Sequence, residues 1–230
     1  MRESCRPVHR PVLALGLLAL WLAFGSVAAA AQPLRILAFG DSLTHGYGLA
    51  AGDTFPEQLQ RALTAKGYAV KVLNGGNSGD TTASGRERLD WVLAERPDMA
   101  IVELGGNDGL RGLDPAETYA NLDAILGRFR AKGVAVLLTG MLAPRNLGAD
   151  YAEAFDAVFP RLAEAHGVAF YPFFLDGVAM QPELNQDDGI HPNAAGVARV
   201  VERILPSVIR LIDSRDNTHD DTRTPEAGDG

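Results

Sequence analysis

The turn Gly40-Asp41-Ser42-Leu43 places a hydroxyl directly after the apolar run Leu34–Phe39. A glycine fingerprint in that place would instead cradle a phosphate. A serine is a weak nucleophile until a base takes its proton and a third group orients that base. The stretch Gln186-Asp187-Asp188-Gly189-Ile190-His191-Pro192-Asn193 offers both. Asp188 stands three residues before His191 in one turn, close enough to accept the Nδ1 hydrogen while Nε2 faces a serine. His191 also precedes Pro192, a position that suits a helix cap. Asn107, in Gly105-Gly106-Asn107-Asp108-Gly109, carries an amide that could meet an oxyanion or simply form the turn after paired glycines. The backbone N–H groups of Ser42 and Gly79 lie in turns that begin helices and offer two further oxyanion donors.

Other chemistries lack their residues. No G-x-G-x-x-G or GK[ST] motif is present, so no nucleotide cofactor is expected. The one cysteine, Cys5, precedes the apolar N-terminal run, which leaves the body of the chain without a thiol nucleophile. Beyond that run the histidines are His45, His166, His191 and His219, too few near the aspartates for a two-metal phosphoesterase, and no metal site is expected. His45 is too near Ser42 along the chain to act as its base and is expected on the rim. Glu103, inside an apolar run, reads as a structural carboxylate with a partner elsewhere.

Positioning these residues requires a framework, and short apolar runs alternate with helical patterns. Strands are expected at Leu34–Phe39, Ala69–Leu73, Met99–Leu104, Val134–Thr139 and Val168–Phe170. Thr54-Phe55-Pro56-Glu57 has capping-box spacing and opens a helix carrying Leu59 and Leu63. Further helices are expected over Thr82–Ala94, from Asp114 to Gly133, over Tyr151–His166 and over Pro192–Ile212, with Pro206 bending the last. Strands spaced by helices imply right-handed βαβ units and a parallel sheet covered on both faces, an α/β fold. Sites in such folds gather at the carboxyl ends of strands, and the polar stretches named above fall there.

Taken together, four blocks in this order resemble the GDSL, or SGNH, hydrolases: Gly40-Asp41-Ser42-Leu43, Ser78-Gly79-Asp80-Thr81, Gly106-Asn107-Asp108 and Asp188-Gly189-Ile190-His191. The strings VELGGNDGLRG and QDDGIHPN are similar to the secreted thioesterase, lysophospholipase and arylesterase branch of that family. The resemblance implies a flavodoxin-like three-layer α/β/α fold with strand order 2-1-3-4-5. It also implies Ser42, Gly79, Asn107 and His191 as signature residues, with Asp188 as the acid of the triad. Asn77 stands where relatives often carry an apolar residue, and His45 adds an imidazole near the serine. The expected reaction is hydrolysis of acyl esters and thioesters through an acyl-enzyme. The alternatives are a carbohydrate acetyl esterase on the same fold and a non-catalytic ligand-binding relative.

The ends of the 230-residue chain read differently from its middle. Arg2, Arg6 and Arg10 precede the uncharged stretch Val12–Phe24 and an alanine-rich A-x-A end, the pattern of a signal peptide over residues 1–31 with cleavage near Ala31. An uncleaved anchor is the alternative. Three Arg and one Glu leave with that segment, moving the formal charge from −8 to −10. Nucleic acid and anionic membrane are therefore poor partners. Residues 32–212 form the expected domain, and residues 213–230, with six acids and no large apolar side chain, are expected to be a disordered acidic tail. The protein is expected to be exported, periplasmic or secreted, and to act as a monomer on a small-molecule acyl ester or thioester. Leu110, Met141, Leu142 and Phe174 are the candidate apolar wall for the acyl chain, and residues 142–148 a candidate lid.

Overall fold

A computed structural model describes residues 32–221. The expected signal peptide lies outside the described residues. A five-stranded parallel sheet is built from β1 (Leu34–Gly40), β2 (Val70–Gly76), β3 (Met99–Glu103), β4 (Ala135–Thr139) and β5 (Ala169–Tyr171), in the order β2-β1-β3-β4-β5. The chain steps outward from β1 to β2 and then returns to β3 on the other side. The carboxyl ends of β1 and β3 thus flank the point where the strand order reverses, and there the connecting loops diverge and leave a crevice.

The central strands are apolar because both of their faces are covered. Ile36, Leu37, Ala38 and Phe39 of β1 and Met99–Val102 of β3 are buried. The helices are α1 (Ser42–His45), α2 (Phe55–Ala65), α3 (Thr82–Glu87), α4 (Leu89–Leu93), α5 (Gly106–Arg111), α6 (Pro115–Ala131), α7 (Ala149–Asp156), α8 (Val158–His166) and α9 (Ala194–Asp221). α2 and α9 pack against each other, while α3 and α8 pack on α6. The α2 capping box forms, with Thr54 and Glu57 each satisfying the other's end. Val197, Val201, Ile204 and Val208 of α9 are buried, which is the stripe their spacing predicts.

Three expectations are adjusted. The single helix expected over Thr82–Ala94 breaks at Arg88, whose side chain turns inward to bond Asp80, the Gly75 carbonyl and the Gly40 carbonyl. The helix expected over Tyr151–His166 divides at Ala157, because Pro160 has no N–H to give the carbonyl four residues back. The last helix starts at Ala194 and continues past Pro206 to Asp221, so the first part of the expected tail is helical. Among the described residues no helix is long and apolar enough to cross a membrane.

Candidate active site

The nucleophile turn is held by its neighbours in sequence. Asp41 is the N-cap of α1, its Oδ1 accepting from the Leu43 N–H at 3.0 Å, and Ser42 is the first helical residue. A Cβ on Gly40 would lie 2.2 Å from Thr44 Oγ1 and 2.5 Å from the Glu103 carbonyl oxygen, so only glycine lets β1 end this close to the turn.

The loop of residues 186–193 comes to Ser42 from 149 residues away. His191 Nε2 lies 2.9 Å from Ser42 Oγ, and His191 Nδ1 lies 2.7 Å from Asp188 Oδ2. Asp188 Oδ1 accepts the N–H groups of Ile190 at 2.9 Å and His191 at 3.0 Å. The His191 N–H first, then its imidazole and the Ile190 N–H, bring the Asp188 carboxyl down to about 2. An ionised Asp188 fixes the proton on Nδ1, which leaves Nε2 with the lone pair that a serine hydroxyl needs. The helix-cap reading of His191 is overturned, since Asn193 Oδ1 caps α9 by accepting from Ala195 and Gly196, each at 3.0 Å. The Tyr47 ring lies against the imidazole with centroids 4.7 Å apart, and the Tyr47 carbonyl accepts from Gln186 Nε2 at 2.8 Å.

The three candidate donors lie on segments tied to one another, since Asn107 Nδ2 bonds both Asp41, which precedes Ser42, and the carbonyl of Asp80, which follows Gly79. Among the described residues neither the Ser42 nor the Gly79 N–H has an acceptor. Gly79 has a φ of +85°, a conformation that favours glycine, in a loop tied by Asn77 Nδ2 to Asp80 Oδ1 and by the Asn77 N–H to the Gly40 carbonyl. Asn77 is thus a fastener of this loop. Asn107, on α5, gives its Nδ2 to Asp41 Oδ2 at 3.1 Å and to the Asp80 carbonyl at 2.9 Å. Asp108, its neighbour, is buried and bonds Thr82 and Thr118, so it ties α3 and α6 to α5. The partner of Glu103 is Thr44, and Asp41 is also close. His45 is exposed, with Nδ1 3.4 Å from the Gly76 carbonyl, and bonds no part of the Ser42 relay. His166 pairs with Asp123 between α8 and α6.

The apolar wall divides. Leu110 and Leu142 are 50% and 44% exposed, but Met141 and Phe174 are buried in the core, and Phe174 meets Phe55 edge to face at 5.0 Å. The expectation that these last two contact substrate is corrected accordingly: a side chain wholly enclosed by core presents no area to a ligand. In the candidate lid, Asp156 accepts from the Ala143 N–H and pairs with Arg145, so the segment is anchored to α7. Arg88, Asp80, Tyr47 and Arg111, whose Nη2 donates to the Gly79 carbonyl at 3.1 Å, were not singled out from sequence.

Comparison with known proteins finds relatives of this chain. The GDSL-like lipase/acylhydrolase family model matches residues 38–199. Esterase TesA of Pseudomonas aeruginosa is 42% identical over 204 residues, covering 88% of this chain and all of that protein. Thioesterase 1/protease 1/lysophospholipase L1 of Escherichia coli K12 is 43% identical over 167 residues, covering 72% of this chain and 78% of that protein. A crystal structure of TesA superposes with a TM-score of 0.74 at 41% identity, covering 77% of this chain and 99% of that one.

Proposed function

The chain belongs to the GDSL-like lipase/acylhydrolase family, and from that membership we propose that Ser42, His191 and Asp188 cleave acyl esters and thioesters through an acyl-enzyme. The protein is an ester-bond hydrolase, and its relatives carry the names esterase and thioesterase/lysophospholipase. The observation that supports the residue roles best is the unbroken relay from Ser42 Oγ to His191 at 2.9 Å and on to Asp188 at 2.7 Å.

Ser42 Oγ attacks the acyl carbon as Nε2 of His191 takes the hydroxyl proton, and Asp188 stabilises the imidazolium that results. The carbonyl oxygen becomes an oxyanion and accepts from the N–H groups of Ser42 and Gly79 and from Asn107 Nδ2. When the carbonyl re-forms, the C–O or C–S bond breaks and His191 returns the proton to the leaving alcohol or thiol. A water then attacks the acyl-serine by the same route, which releases the carboxylic acid and regenerates Ser42.

A fluorophosphonate probe tests the roles, because it phosphonylates an activated serine. Wild-type protein takes up one label and turns over acyl esters and thioesters, and Ser42→Ala does neither while keeping its fold. Turnover at a near-wild-type rate in Ser42→Ala overturns the assignment. The protein acts outside the cytoplasm, periplasmic or released, as a monomer with residues 1–31 removed. The basic start, apolar middle and A-x-A end of those residues support that placement.

A further inference from the structure

Glu103 is a buried ionisable side chain that the reaction above does not use. It ends β3 with no exposed surface, in register with Gly40 of β1. Its Oε2 accepts from Thr44 Oγ1 at 2.7 Å and lies 3.4 Å from the Asp41 N–H, while Oε1 is buried without a partner among the described residues. The two donors bracket the nucleophile, since Asp41 precedes Ser42 and Thr44 follows it by two residues. A Cβ on Gly40 would also fall 2.4 Å from Oε2, so the carboxyl fills the space under the turn. α1 has four residues, too few to hold its own conformation, and the turn is therefore fixed by what lies beneath it.

Resting on the reading of Ser42 as nucleophile, we propose that Glu103 is a positioning residue of the hydrolysis. As an uncharged acid it clamps both sides of the Ser42 turn through one oxygen and so aims the hydroxyl at His191. The surroundings favour the neutral form. No cation pairs with Glu103 among the described residues. Arg88, which reaches the Gly40 carbonyl from the break between α3 and α4, is engaged by Asp80. Burial, and then the neighbouring Asp41, push the Glu103 carboxyl well above the usual carboxylate range. The adjacent acids thus divide the work: Asp41 carries the charge that caps α1 and holds Asn107, and Glu103 carries a proton and holds the turn.

Glu103→Gln, Glu103→Leu and Thr44→Val in the full chain test this, read by kcat and KM on a medium-chain aryl ester, the rate of fluorophosphonate labelling and the thermal midpoint. Glu103→Gln keeps the shape and the neutral acceptor and holds kcat within about threefold. Glu103→Leu loses about 10- to 100-fold in kcat and in labelling rate, the scale of a displaced reacting group, with KM changed less than about twofold. Thr44→Val shifts kcat and labelling in the same direction, and combined with Glu103→Leu it adds nothing further. Wild-type labelling in Glu103→Leu or Thr44→Val overturns the proposal, as does a Glu103→Gln loss equal to that of Glu103→Leu. A kcat loss that merely follows the fraction unfolded also overturns it. Should Glu103→Leu fail to fold, Thr44→Val and Glu103→Gln decide alone. A wild-type protein that neither takes the label nor cleaves esters overturns instead the reading of Ser42 on which the proposal rests.

Discussion

Asp41 Oδ2 holds the amide nitrogen of Asn107 at 3.1 Å, and the same nitrogen donates to the Asp80 carbonyl at 2.9 Å. Both amide hydrogens therefore have acceptors before substrate arrives. An oxyanion at this place must share one of them, and it competes well because charged acceptors bind N–H groups about twice as strongly as neutral ones. The arrangement orients the donor in the ground state and releases it to the charge that appears only in the transition state.

Asn107→Ala accordingly lowers kcat by about 10²–10³ and leaves KM nearly unchanged, the usual loss for one preorganised donor. Steady-state kinetics on a single aryl ester decide this. A change confined to KM would make Asn107 a substrate-binding or turn residue.

Asp41 also shapes the dependence of stability on pH. Burial raises its carboxyl to about 6, against the hydrogen bonds from Leu43 and Asn107 that lower it. The unfolded chain gives up this proton at a lower pH than the folded one. The contribution is therefore fully present below about 4 and is lost as pH rises through about 6. Asp188 acts in the opposite sense: its lowered carboxyl stabilises the fold above about 4, and that contribution is lost as pH falls through about 2. Glu103, raised further, declines through the same window, so Asp41→Asn makes the fall in denaturant stability between about pH 4 and 6 shallower without abolishing it and leaves the acid limb in place. An unchanged slope in that window would remove Asp41 as its cause. Activity falls in the same variant, because an amide at position 41 offers one acceptor oxygen where the carboxylate serves two donors, the Leu43 N–H and Asn107 Nδ2.

The strands and the four site blocks are legible in the sequence because each depends on local pattern, whereas the order of the strands in the sheet comes only with the resemblance to the SGNH hydrolases. Buried strands read as apolar runs, and the residues after them read as turns. Ser42, Gly79, Asn107, Asp188 and His191 all fall in such turns. What stayed hidden depends on contacts across the chain. Arg88 breaks its helix to reach Asp80 and the carbonyls of Gly40 and Gly75, and no local signal encodes those partners. Asn193 takes the cap of α9 only because the chain stays extended past Pro192. Met141 and Phe174 follow strand ends just as Leu142 does, yet they turn into the core, and apolar composition alone cannot choose the direction.

Phe174 tests that last distinction. Its ring is buried and meets Phe55 at 5.0 Å. Phe174→Ala loses about 3–5 kcal/mol of stability from lost burial and the cavity left behind. The ratio of kcat/KM between medium-chain and acetyl esters stays the same in the folded fraction. A changed ratio with unchanged stability would return Phe174 to the substrate wall.

Acyl-chain preference rests on the wall that remains. Leu110 follows Asn107 by one turn on α5, and Leu142 begins the segment anchored by Asp156 after the carboxyl end of β4; both leucines are exposed. A hydrocarbon chain lying on them gains by area, about 0.8 kcal/mol for each methylene fully buried, or roughly fourfold in kcat/KM. The gain per methylene is smaller here because both side chains remain half exposed on a wall open to water. A sugar needs many fixed hydrogen-bond partners, and these two leucines give none. kcat/KM therefore rises from acetyl to medium-chain aryl esters, and acyl thioesters of the same chain lengths follow the same order. Leu110→Ser and Leu142→Ser each flatten that rise while leaving the acetyl ester rate within about twofold, since neither touches the Ser42 relay. Acetylated xylan turning over faster than a medium-chain aryl ester would overturn the preference and point to a carbohydrate esterase. A chain-length series on wild type and the two serine variants separates these outcomes in one set of initial rates.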